Sequence, residues 1–150
     1  MKQYKFGFSI KGLIAFLLVM APNIVWMIAP PVNDVLAGNS AAAPALDIVQ
    51  NVCRWMVVAL LILLINKSEK KNKLSKIFIA AAALCLLVYY VSWALYYIGY
   101  ADPWMVVIGM AAAPSLYFIF VALWLNNYPA VVPGIIFAVI HTAITFINYK

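Results

Sequence analysis

Apolar residues run along this chain in five long stretches, separated by short polar breaks. The first covers about Phe8 to Ala29 and stops at Pro30-Pro31, and the second runs from about Asp47 to Ile65. The third spans Ile77 to Ile98, the fourth Pro103 to Leu125, and the fifth about Ala130 to Ile147. Each is close to the roughly 20 mostly apolar residues that a helix needs to cross the hydrocarbon of a bilayer. The breaks Gly99–Asp102 and Asn126–Pro129 carry Gly, Asp, Asn and Pro, the residues of turns. The pattern predicts an all-α, polytopic transmembrane bundle of five helices. It forms a single domain over residues 1–150, with approximate spans 8–29, 47–65, 77–98, 103–125 and 130–147.

Charge gives the predicted bundle a direction. Lys2, Lys5 and Lys11 precede or open the first run, and Lys67, Lys70, Lys71, Lys73 and Lys76 crowd the second connection. The first and third connections hold acids only, Asp34 with Asp47 at its edge and then Asp102. By the positive-inside rule the N-terminus and the lysine loop are cytoplasmic and the C-terminus is outside. A cleaved signal peptide is the competing reading of the first run, with Ala41-Ala42-Ala43 as a small-residue cleavage zone. The apolar stretch is longer than the usual ~7–15-residue signal core, and the alanines lie well beyond its end. A retained helix is expected.

Composition narrows the function classes. The chain is 68% hydrophobic and only 9% charged, against roughly 45–50% and about 25% in soluble domains. Lipid is therefore the expected outer solvent and partner. The net charge of +6 comes from lysines at the edges of apolar runs, so nucleic acid is not an expected partner. Cys53 and Cys85 lie inside apolar runs without CxxC or Cys/His spacing, which reads as packing. There is no Walker loop, HExxH, GxSxG or dinucleotide fingerprint. No cofactor is expected, and one histidine without a second His or Cys makes no zinc site. Glu69, the only glutamate, sits in the lysine loop.

Polar residues inside apolar runs are costly and tend to face a bundle interior or a wet cavity. The second run opens with Asp47, Gln50, Asn51 and Arg54, spaced to share one helical face. Asp47 and Gln50 also fit an N-cap with its capping-box partner, and Arg54 fits a snorkelling side chain. A planar guanidinium suits a carboxylate, phosphate or carbonyl. The third run carries Tyr89, Ser92, Trp93, Tyr96 and Tyr100 on a similar stripe, deeper than an interfacial aromatic belt requires. In the first run Asn23 follows Pro22, with Trp26 one turn on, and Pro22 leaves the carbonyl of Leu18 without its helical donor. Pro114 does the same to Met110 in the fourth. The fifth run places His141, Thr142, Thr145 and Asn148 toward its outer end. A lone histidine is also a common hydrogen-bonded structural residue. Under the assigned topology these groups share the outer half, which points to one outward-facing polar and aromatic pocket. Its candidate ligand-binding residues are Asn23, Trp26, Gln50, Asn51, Arg54, Tyr89, Trp93, Tyr96 and His141.

The segments Phe6-Gly7-Phe8-Ser9, Gly12-Leu13, Pro22-Asn23-Ile24-Val25-Trp26 and Pro30-Pro31, with the closing His141 to Tyr149-Lys150 stretch, carry a resemblance. On them the chain resembles an uncharacterised family of small five-helix integral membrane proteins of Gram-positive bacteria. The resemblance implies attention to Asn23, Trp26 and His141 and implies no substrate. Five helices in this length are also similar to the tryptophan-rich translocator-like sensory proteins, whose Pro-Ser-Trp-x-Pro-Pro-type segment this chain lacks. The expected function is a non-enzymatic, multi-pass cell-membrane protein that binds or passes a small polar or amphipathic molecule. The alternative is an accessory, immunity or assembly subunit packed on a membrane-protein partner, and the third reading is an intramembrane enzyme.

Overall fold

A computed structural model describes residues 3–32, 34–38, 44–67 and 73–149. Lys2, Ala41–Ala43, Glu69, Lys70 and Lys71 lie outside the described residues. Strand β1 (Tyr4–Phe6) leads into α1 (Ile10–Ile28), a 3-10 turn (Val35–Gly38) and α2 (Pro44–Leu63). Strand β2 (Leu64–Asn66) and α3 (Ser75–Tyr97) follow. A π-wound segment (Met105–Ala112) continues directly into α4 (Ala113–Trp124), and α5 (Tyr128–Tyr149) closes the bundle. The fold is an all-α five-helix bundle, and all five helices are long and apolar enough to cross a membrane. The π segment with α4 is the central element, with 67% of its most apolar stretch buried against 22% for α1 and for α3. It packs on α3 and α5, and α2 packs on α5.

Local chemistry explains where the helices stop. Ser9 caps α1 by accepting from the Gly12 N–H at 3.1 Å. α3 ends in a Schellman turn: Gly99 has φ +91°, its N–H reaches the Tyr96 carbonyl, and the Tyr100 N–H reaches Leu95. α4 ends the same way at Asn126, φ +53°, with Asn126 N–H on Leu123 and Asn127 N–H on Ala122. Asn tolerates the left-handed region better than most residues, so it can stand in for glycine here.

Two features depart from the sequence reading. α2 starts at Pro44, where a helix tolerates proline, so Asp47 sits in the first turn and is not the N-cap. Its charge still favours that position through the helix dipole, and Gln50, one turn deeper, is buried and turned to another partner. The fourth run, expected as one α-helix, is π-wound over Met105–Ala112. Pro114 has no N–H and its ring crowds the preceding turn. The helix widens ahead of it, so that the Ala113 N–H bonds five residues back to Ile108. Ser115 Oγ then donates to the Ala111 carbonyl at 2.7 Å. Pro22 is handled differently: Tyr90 from α3 donates its hydroxyl to the freed Leu18 carbonyl at 2.7 Å.

One end of the bundle is tied by a small antiparallel ladder. Tyr4, Lys5 and Phe6 pair with Asn66, Ile65 and Leu64, and Gly7 and Ser9 N–H groups bond the Leu63 and Ile62 carbonyls at the end of α2. Asn127, 1% exposed, donates to the Leu60 and Leu64 carbonyls at 2.7 and 3.0 Å. Asn66 and Tyr4 both donate to the Asn126 carbonyl. α1 crosses α2 here so closely that a Cβ on Gly12 would lie 2.0 Å from the Leu61 carbonyl oxygen. This is the hairpin end. The opposite end, where the 34–38 turn folds between the ends of α3 and α5, is the cap end.

Candidate functional site

Between the hairpin end and the cap end the helices separate around a chamber of about 330 Å³. Its polar lining is Asn23 and Trp26 from α1, Arg54 from α2, Tyr89 from α3 and His141 from α5. The apolar wall includes Phe16, Val19, Val58, Met110, Phe118 and Phe137. A second chamber of about 190 Å³ shares Asn23, Trp26, Tyr89, Met110 and His141, and adds Trp93, Thr145 and Leu36. Pro114 lines the larger chamber, so the widened helix ahead of it forms part of the site. π-wound turns are common at functional positions.

The polar side chains around the chambers are organised in pairs. Asn23 Nδ2 donates to the Tyr89 hydroxyl at 2.7 Å and to the Val19 carbonyl at 3.0 Å. Gln50 Oε1 lies 3.1 Å from His141 Nδ1. With the amide oxygen as acceptor, Nδ1 carries the proton and Nε2 is left as the ring's acceptor. Phe137, one turn before His141, stacks on its ring at 5.1 Å and 11°, and Thr145 donates to the His141 carbonyl. Arg54 Nη2 donates to Asn51 Oδ1 at 2.6 Å, and its guanidinium lies over the Trp55 ring at 5.8 Å. Tyr89, Trp93 and Tyr96 meet edge to face with centroids 6.2 and 5.7 Å apart.

The nine candidate residues therefore separate into three groups. Asn23, Trp26, Arg54, Tyr89 and His141 line the larger chamber, and Trp93 borders the smaller one. Gln50 and Asn51 lie behind the wall and orient His141 and Arg54. Tyr96 lines neither chamber. Its hydroxyl donates to Asp34 Oδ1 at 2.7 Å, tying the first connection to the bundle.

That tie builds the cap. Asp34 Oδ1 also accepts from the Leu36 N–H at 3.2 Å, and Tyr149 donates to the Val35 carbonyl at 2.5 Å. Leu36 projects into the smaller chamber. Partial desolvation raises the Asp34 pKa, but the hydrogen bond from Tyr96, the proximity of Trp26 and the backbone N–H groups of Leu36 and Ala37 outweigh it. The carboxyl stays below its ordinary 3.8. Trp26 Nε1 is buried and makes no hydrogen bond among the described residues. Sequence reading missed Asp34, Leu36 and Phe137. The i, i+4 spacing of Phe137 and His141 was an available signal for the last, while nothing in the spacing of the first connection marks Leu36 as a chamber residue.

No group of His, Cys, Asp and Glu able to hold a metal occurs among the described residues. No family model matches the chain, and comparison with curated proteins and with solved structures likewise gives no match.

Proposed function

We propose that this is a multi-pass membrane protein that binds, and passes or senses, a small polar or amphipathic molecule in an intramembrane pocket open to the outer half of the bilayer. One observation carries the reading: five polar or aromatic candidates from four helices converge on one chamber with an otherwise apolar wall. Binding sites combine these properties, apolar area for affinity and a few placed polar groups for orientation. Arg54 orients an anionic or carbonyl group, with Asn51 holding the guanidinium and Gln50 holding His141. Tyr89 and Trp93 form the aromatic wall. The lysine-bearing hairpin end faces the cytoplasm and the cap end faces out, following the charge bias of the connections.

The test is thermal unfolding of the protein in lipid nanodiscs against a library of polar metabolites and lipids. At least one compound should raise Tm, and the rise should vanish in Arg54→Ala while surviving in Tyr97→Phe. A library in which nothing raises Tm ends the binding reading.

A further inference from the structure

The larger chamber lies between the two tied ends of the bundle, and part of its lining is exposed on the flank. Toward the cap end the 34–38 turn is tied to α3 by Asp34–Tyr96 and to α5 by Tyr149 on Val35, and Leu36 lines the smaller chamber. Toward the hairpin end α1 and α2 touch backbone to backbone at Gly12 and Leu61. Between these two ends α1 and α2 part. Met20 and Met27 of α1 and Arg54 and Trp55 of α2 all line the chamber. Of these, Met27 is 73% and Trp55 59% exposed, and Arg54 is exposed as well. A residue that borders an internal chamber and also the flank of a transmembrane bundle marks an opening toward lipid. At 1.5 Å per residue, Met20 lies about 12 Å below the cap-side end of α1 and Arg54 about 15 Å below that of α2. The opening therefore runs from Met27, at the cap-side end of α1, down to Met20 and Arg54 at acyl-chain depth.

Arg54 is the chain's only arginine and stands at this opening. A guanidinium has five N–H donors, and Asn51 Oδ1 takes one of them. A cation at such depth is costly unless it is paired. The Trp55 ring beneath it and the Asn51 bond hold it in place for an oxygen anion. The wall beyond it, Phe16, Val19, Val58, Phe118 and Phe137, suits an alkyl chain.

We propose that the cleft between α1 and α2 admits, from the lipid phase, an amphiphile with an anionic oxygen headgroup, a carboxylate or a phosphate. Arg54 holds the head and the larger chamber takes the chain. This rests on the binding reading above and names the ligand class and its route.

The experiment uses probes that share or lack each half of that chemistry: decyl phosphate, decanol, decyltrimethylammonium and inorganic phosphate, each added to the protein in phosphatidylcholine nanodiscs. Decyl phosphate should raise Tm saturably, by about 5 °C at saturation for a chain of this size, and the other three should not. Arg54→Gln should weaken its binding at least about tenfold. Val58→Phe, which fills the chamber and leaves Arg54 in place, should abolish it, and this keeps the test decisive if Arg54→Gln folds poorly. An equal effect from inorganic phosphate would mean a water-borne anion site, and an equal effect from decyltrimethylammonium would mean chain partitioning alone. Either overturns the proposal. Unlatching the cap with Asp34→Asn or Tyr96→Phe should leave the association rate of decyl phosphate unchanged, and an acceleration beyond about threefold would place the route through the cap and overturn lateral entry. If a soluble metabolite raises Tm through Arg54 while decyl phosphate does nothing, this inference falls and the binding reading stands. Failure of both probe sets removes both.

Discussion

The hairpin end and the chamber half of this bundle use polar side chains for different purposes. At the hairpin end Tyr4, Asn66 and Asn127 all donate to main-chain carbonyls, of Asn126, Leu60 and Leu64. Leu60 lies in the last turn of α2, where carbonyls have no intrahelical donor, and Leu64 and Asn126 lie just past the ends of α2 and α4. Around the chambers, beside bonds to main-chain carbonyls such as Asn23 on Val19 and Thr145 on His141, four pairs run between side chains: Asn23 with Tyr89, Gln50 with His141, Asn51 with Arg54, and Tyr96 with Asp34. Such bonds are a minority in folded proteins, about 10–15% of the total. Backbone repair makes a region rigid, whereas side-chain pairs beside an empty volume fix the direction of groups that have bonding capacity left over. The first arrangement reads as foundation and the second as a site.

That contrast is broken most severely at the foundation. Gly12→Ala should cost about 3 kcal/mol, near the top of the overpacking range, because the new Cβ would stand 2.0 Å from a main-chain oxygen that cannot rotate away. Thermal unfolding in detergent measures it, and a loss under about 1 kcal/mol would mean that α1 and α2 are not locked there. Asn127→Ala comes next, at about 2 kcal/mol, since it strips donors from two carbonyls near the end of α2. Neither change touches a chamber residue, so the ligand-induced rise in Tm should survive in whatever fraction folds. If Asn127→Ala abolished that rise in folded protein, the two halves would not be separable.

The legible parts of the fold were those fixed by local chemistry. The ends of the five helices fall within three residues of the apolar runs, because length and hydropathy alone decide a span. Both Schellman turns sit where Gly99 and Asn126 marked breaks. The orphaned carbonyl of Leu18 followed from Pro22, although its donor, Tyr90, did not. Three-residue strands have no period to read, so the hairpin was invisible. Pro114 announced a disturbance in its helix, but not that the disturbance would take the form of a wider winding. The polar face of α2 was readable, yet its partners were not, because pairing Gln50 with His141 requires the rotation of two helices 91 residues apart in sequence. The apolar lining of the chamber looks like any core, and only the empty volume distinguishes Phe118 or Met110 from packing residues.

In the chamber half the expected stability effects are smaller and the ligand effects larger. Gln50→Ala removes one hydrogen bond from His141 and should cost about 1 kcal/mol. It should nevertheless weaken ligand binding, because the imidazole loses the partner that sets its tautomer. Isothermal titration of the variant against whichever compound raises Tm checks this. Unchanged affinity would make the Gln50–His141 pair part of the foundation and erase the contrast.

The mildest change is acid acting on the cap. Asp34 has a lowered folded pKa, so its contribution to cap closure is complete above the ordinary 3.8 and is lost as pH falls through the lower folded value. The helices and the hairpin ladder do not depend on it, so unfolding should show little change across that window. Trp26 lies beside the carboxylate, and its emission should titrate with a midpoint below 3.8 in the wild type and stay flat in Asp34→Asn. Tyr96→Phe should move that midpoint upward, because the hydroxyl donor that favours the carboxylate is gone. A wild-type midpoint at or above 3.8 would mean that the Tyr96 latch does not hold the first connection, and the smaller chamber would then be open at its end.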